Sequence, residues 1–187
     1  MTKTIRFITK NDGKFAELKA LLPAEFELVR DSTEIHELQT EDMKALVQDK
    51  ILKAFQLVRQ PLIVDHTGLA FDLMKGFPAG LTSVFYETLR AQGIVDLIGK
   101  SVNRNVTVTT MIGYCDGRRK KIFCGKARGK IADQCIGKGG FQWDTIFIPE
   151  GYSQTYAELG QAKKNEISMR RRAFDQLVTH LKSCHRD

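Results

Sequence analysis

"LIVDHTGLAF", residues 62–71, runs an apolar stretch into an Asp-His pair, then Thr-Gly, then a second apolar stretch. With Pro61 in front, "PLIVD" (61–65) is a continuous apolar run of strand length. Such a run is expected of a central strand buried on both faces, and therefore of an α/β domain. The strand is expected to end at the acid and the imidazole. In open α/β sheets ligands gather at the carboxyl ends of strands. Asp65 is then a candidate for catalysis or metal binding. His66 is a candidate base, ligand contact or packed histidine, and spacing alone leaves these open.

Outward from this strand the pattern alternates strands and helices. "TIRFIT" (4–9) reads as a first strand, broken by "NDGK". A helix follows, with Phe15, Leu18, Leu21 and Leu22 at helical spacing. "EFELVR" (25–30) reads as a second strand. Residues 41–58 form an amphipathic helix with the stripe Met43, Leu46, Val47, Ile51, Ala54, Phe55 and Val58. Downstream, 82–99 reads as helix. Residues 105–115 and 120–129, joined by "DGRR", read as a long hairpin. The tail from Asn165 to about Leu181 reads as one helix, with Ile167, Ala173, Leu177, Val178 and Leu181 on its apolar side. No linker, repeat or low-complexity stretch divides the chain, so residues 1–187 read as one domain.

The 187 residues suffice for a sizeable core, and 42% hydrophobic with 27% charged residues is an ordinary balance for a globular domain. No apolar run approaches the roughly 20 residues of a membrane span, and the N-terminal stretch lacks the apolar core of a secretory signal. A cytoplasmic location without membrane association is the expectation. The four cysteines show no CxxC spacing and read as free thiols. A net charge of +7 favours anionic partners. Much of it lies in "GRRKK" (117–121), "GKARGK" (125–130) and "MRRR" (169–172). The plain reading of these clusters is solvated surface. No aromatic residues interleave them, so a nucleic-acid partner is not expected.

Four further stretches carry chemistry. "TKNDGK" (9–14) joins a strand to a helix, where backbone N–H groups favour anions and Lys14 adds a cation. It lacks the Walker spacing and reads equally as an ordinary turn. Lys50 falls beside the apolar stripe of its helix, either snorkelling to solvent or aimed at a phosphate. Glu34 and Glu37 precede that helix as surface or capping acids, or as carboxylates for a hard cation such as Mg²⁺. In "GGFQWDTIF" (139–147), Phe141 and Trp143 either stack on a base or pack in the core. Asp144 is placed to accept hydrogen bonds from a base.

The order of these pieces says more than any one of them. "FITKNDGKFAEL", "HELQ", a Lys-bearing helix, "IVDHTGLAFDLMKGFPAG", "GGFQWDTIFIPEGYSQTYAEL" and "KKNEISMRRRA" together resemble the inosine triphosphate pyrophosphatase family, the Ham1-like proteins, over roughly residues 4 to 181. The resemblance implies an elongated α/β fold, with a central twisted mixed sheet, flanking helices and two lobes around a nucleotide cleft. It implies a homodimer, and Mg²⁺-dependent hydrolysis of ITP, dITP or XTP to the monophosphate and pyrophosphate. By position, Thr9, Lys10, Asn11 and Lys14 would wrap the triphosphate, with Lys50 and Thr67 beside it. Glu37 and Asp65 would hold Mg²⁺. Phe141, Trp143 and Asp144 would form the base pocket, and Lys164 and Arg170 would read the 6-oxo edge.

The family's strand carries two acids, and the second binds Mg²⁺ and helps activate water. Here Asp65 is followed by His66. Imidazole is a poor ligand for Mg²⁺, though His66 is a candidate general base near neutral pH. Other differences are Gln142 for Gly, Met169 for His and Lys10 for Gly. Two outcomes are set against each other. One is a nucleotide sensor with hydrolysis impaired or lost, signalling to a partner protein. The other is an active pyrophosphohydrolase that cleans the nucleotide pool. The resemblance extends to subunits of bacterial anti-phage systems, which admits an effector partner such as an NAD-consuming, SIR2-like protein.

Overall fold

The computed structural model describes residues 3–183. Seven strands form one mixed sheet: β1 (Lys3–Ile8), β2 (Phe26–Asp31), β3 (Leu62–Phe71), β4 (Pro78–Ala79), β5 (Asn105–Cys115), β6 (Lys120–Ile131) and β7 (Phe147–Pro149). Their order is β2-β1-β3-β5-β6-β7, with β4 on β3. β1 pairs in parallel with β2 and β3, and every other pairing is antiparallel. Five helices flank the sheet: α1 (Asp12–Leu21), α2 (Met43–Val58), α3 (Thr82–Ile94), α4 (Tyr156–Ile167) and α5 (Met169–Ser183). This is the α/β class, with the long hairpin, read from the sequence.

β3 does not stop at the Asp-His pair. It pairs with β5 in unbroken register from Leu62↔Cys115 to Phe71↔Val106. The polar residues stay in the strand because their side chains find partners in other elements, so the ladder has no reason to break. Strand alternation then divides the site. Ile63 packs with the cluster of β1, β2, α1 and α5 residues, whereas Leu62 and Val64 pack with α2. Asp65 and Thr67 share the face of Ile63, and His66 shares that of Val64. Leu69 and Phe71 enter a third cluster, with Ile98, Trp143, Phe147 and Tyr156. The polar triplet 65–67 thus sits where three apolar clusters meet.

The tail departs from the single helix expected. Ser168 is extended (φ −70°, ψ 157°) and separates α4 from α5. Its N–H closes α4 on the carbonyl of Lys164, and its Oγ accepts the N–H of Arg171 as the cap of α5. Ile167 therefore ends α4 and does not belong to the apolar side of α5. The 82–99 segment is helical to Ile94 with a kink at Arg90, whose φ is positive (φ 56°, ψ 179°), and closes in a π turn over Val95–Gly99. Cys115, Cys124 and Cys135 are free thiols, and Cys184 lies outside the described residues. No helix among the described residues is long and apolar enough to cross a membrane.

Candidate functional site

The β1–α1 turn positions the first cation. Asn11 caps α1 by accepting the N–H of Lys14, and Thr9 Oγ1 accepts the N–H of Asn11. This turn aims the Lys14 side chain inward, where Nζ lies 3.0 Å from Asp65 Oδ1. Lys10 instead faces solvent and pairs with Glu34 at 3.1 Å. Burial lowers the Lys14 pKa, Asp65 counters this, and Arg170 and Lys50 push the same way as burial.

Across the Asp65 face runs a chain of alternating charges. Asp65 Oδ2 lies 3.3 Å from Arg170 Nη2, which also donates to Thr67 Oγ1 at 3.2 Å. Arg170 Nη1 donates to Glu17. Glu17 and Asp144 each lie 2.6 Å from Lys164 Nζ. Lys14, Arg170 and Lys164 thus meet Asp65, Glu17 and Asp144, and only Lys14 keeps appreciable exposure, at 16% of its side chain. Burial alone would raise the Asp65 carboxyl, but Lys14 and Arg170, with Lys50, hold it well below the usual carboxylate range. Glu17 is likewise held low by Arg170 and Lys164 against its burial. Asp144 is raised, because burial there outweighs Lys164.

His66 points to the other face. Its Nδ1 lies 3.7 Å from Glu37 Oε2, and Glu37 Oε1 accepts a short hydrogen bond from Lys50. Lys50 also donates to the Asp65 carbonyl at 3.1 Å. The snorkelling alternative for Lys50 does not hold, since the residue is 9% exposed and turned inward. Burial lowers the His66 pKa from 6.5 to about 4, with Lys14 adding to burial and Glu37 opposing it. The imidazole is neutral at pH 7.

Glu37 and Asp65 do not converge. Asp65 is engaged by two cations on one face, and Glu37 is neutralised by Lys50 on the other. No group of three or more His, Cys, Asp or Glu among the described residues is arranged to hold a metal ion. These side chains alone therefore do not fit a Mg²⁺ site, which calls for several oxygen ligands.

The aromatic pair separates. Trp143 is 5% exposed and packs edge-on to Phe147, with centroids 5.7 Å apart. Phe141 lies over the cations instead, with Lys164 Nζ 4.2 Å and Arg170 Cζ 5.9 Å from its ring centroid. Its ring also rests on α1, where a Cβ on Gly13 would come within 2.6 Å of it. Asp144 Oδ2 accepts the N–H of Phe141 at 2.8 Å and fixes the turn.

Glu17 escaped the sequence reading. Its signal was present, an acid adjoining Leu18 on the apolar side of α1. Two buried nitrogens of the site, His66 Nε2 and Arg170 Nε, have no hydrogen-bond partner among the described residues. Unmet demand of this kind in a charged pocket calls for a water or a ligand.

Fold and site define an α/β protein with a cation-lined polar junction at the middle of its central strand. The chain belongs to the Ham1 family, whose pattern matches residues 5–180. It is 37% identical over 174 residues to a dITP/XTP pyrophosphatase of Pyrobaculum aerophilum, covering 92% of this chain and 93% of that protein. It is 32% identical over 178 residues to inosine triphosphate pyrophosphatase 2 of Trypanosoma cruzi, covering 94% and 91%. Among solved structures, a HAM1 protein from Coxiella burnetii superposes with a TM-score of 0.80 at 25% identity, covering 97% of this chain and all of that one.

Proposed function

We propose that the polar junction binds a purine nucleoside triphosphate with a 6-oxo base, dITP, ITP or XTP, and hydrolyses it slowly or not at all. The bound state then serves as a signal to a partner protein. The ligand class rests on family membership and on the cation chain. Lys14 and the α1 N-terminus suit phosphate oxygens, and Thr9, Asn11, Lys50 and Thr67 adjoin them. Lys164 and Arg170 carry only donors. They favour a 6-oxo group and face the adenine amine donor to donor, which leaves buried groups unpaired.

One observation carries the loss of hydrolysis: the face of β3 that meets Glu37 offers an imidazole, not a second carboxylate. A base works best with a pKa near the working pH, and His66 is held at about 4. Asp65 is no substitute, since two cations hold it on the opposite face. Mg²⁺ is expected here as the counter-ion of the triphosphate. A role in anti-phage signalling and a homodimer stand as parts of the proposal, supported by resemblance.

The pyrophosphatase activity by which the relatives are named supports a second reading, an active pyrophosphohydrolase with His66 as base beside Glu37. Calorimetric titration with dITP, ITP, XTP and ATP tests the ligand class. Inosine nucleotides are expected to bind at least about tenfold tighter than ATP, the size of a lost buried hydrogen bond. Equal binding of all four would overturn the assignment.

A further inference from the structure

The sheet face that carries His66 continues past it along the ladder. Gly68 lies opposite Thr109, and Thr109 opposite Lys126; Ala70, Thr107 and Arg128 follow in the next row. On β6, Lys126, Arg128 and Lys130 are exposed and alternate with buried Ala127 and half-buried Gly129. Their β5 partners Thr109, Thr107 and Asn105 are uncharged. No ion pair among the described residues involves these three cations. Arg172, on the first turn of α5, joins them by donating to the Lys126 carbonyl. Arg172 of "MRRR" thus joins the "GKARGK" cations on one surface, and the nucleotide site uses neither Lys126, Arg128, Lys130 nor Arg172.

The surface is concave. Two adjoining cavities of about 510 and 540 Å³ share Thr107, Arg128, Pro149, Glu150 and Tyr152. Their charged lining is four cations against Glu150 and Asp72. Exposed Tyr152 adds an apolar contact.

We propose that this groove docks an extended acidic segment of a partner protein. Alternate residues of a strand repeat about every 7 Å. A partner segment with Asp or Glu at every second position therefore meets Lys126, Arg128 and Lys130 in register. The two acids argue against nucleic acid. A phosphate chain carries charge at every step and is repelled at Glu150 and Asp72, whereas a protein segment can place neutral side chains there. A two-fold contact centred on the stripe would set cation against cation, which disfavours a second copy of this chain. The inference stands whether or not the nucleotide is hydrolysed.

The test uses labelled twelve-residue peptides read by fluorescence anisotropy. One alternates Glu and Thr; the other has the same composition with six Glu followed by six Thr. A single-stranded twelve-nucleotide DNA is the third probe. The alternating peptide is expected to bind best to the unaltered protein. Arg128→Glu/Lys130→Glu should weaken it about tenfold, through two lost attractions and two added repulsions. Arg118→Glu/Lys120→Glu, at the exposed hairpin turn, should change it less than about twofold. dITP affinity should be unchanged in both variants, which also reports correct folding. If the double reversal fails to fold, Arg128→Gln/Lys130→Gln carries the same test with a loss of about threefold. Equal loss in the turn variant, equal binding of the block peptide, or tighter groove-dependent binding of the DNA overturns the proposal. So does a change of solution mass in the groove variant, which would make the face a self-interface.

Discussion

The alternation of β3 sends adjacent residues into different chemistry, and the consequences can be measured one side chain at a time. Asp65 ties Lys14 of the β1–α1 turn to Arg170, while His66 turns to Glu37. Glu17 completes the chain by holding both Arg170 and Lys164. Glu17→Gln leaves two buried cations short of an anion, and such breaks cost about 3–5 kcal/mol. Urea unfolding of this variant is expected to show that loss, and a change under about 1 kcal/mol would mean that the chain is not coupled. Gln142 has φ 55°, a left-handed backbone that glycine adopts freely. Gln142→Gly is expected to relieve strain of about 1 kcal/mol, offset in part by the looser unfolded chain. A clear net loss of stability in the same assay would contradict this.

Among the elements, β3 explains what sequence patterns show and where they stop. The apolar run 61–65 marks a central strand, and the hairpin 105–129 is legible from its β-branched residues and "DGRR" turn. The strand's continuation to Phe71 is not legible, because it depends on a guanidinium 105 residues away. The break between α4 and α5 is similar: the apolar pattern runs across it, and only the capping by Ser168 divides it. One missed signal was local. Thr155 and Glu158 form a capping box that announces α4. Of the candidate site, the inward-turned cations Lys14 of the β1–α1 turn, Lys50, Lys164 and Arg170 were singled out through their order along the chain. The inward turn of Trp143 was not, since an aromatic near a turn suits a base or a core equally. Ser168→Ala removes the cap of α5 and is expected to cost about 1 kcal/mol in thermal or urea unfolding. No loss would show that α5 is held by packing alone.

For the molecule as a whole, the buried site makes stability depend on pH. The folded protein holds His66 at about 4, below the ordinary 6.5. Between these values the unfolded chain binds a proton that the folded one does not. Stability therefore falls as pH drops from about 6.5 to about 4, by up to about 3 kcal/mol from this group. Asp65 is shifted down in the folded state, so its contribution is present above its ordinary pKa and is lost only in stronger acid. His66→Gln should flatten the slope between pH 6.5 and 4 in urea titrations, and an unchanged slope would remove His66 as its source. The same neutral imidazole underlies the claim that the nucleotide is held and not cut. The direct measurement is pyrophosphate release from dITP with Mg²⁺, by the protein and by His66→Asp, with dITP affinity taken by calorimetry on the same preparations. The account predicts dITP binding by both, negligible release by the protein and release gained in His66→Asp. Release by the unaltered protein that is lost in His66→Asp would contradict it and make the imidazole the working base.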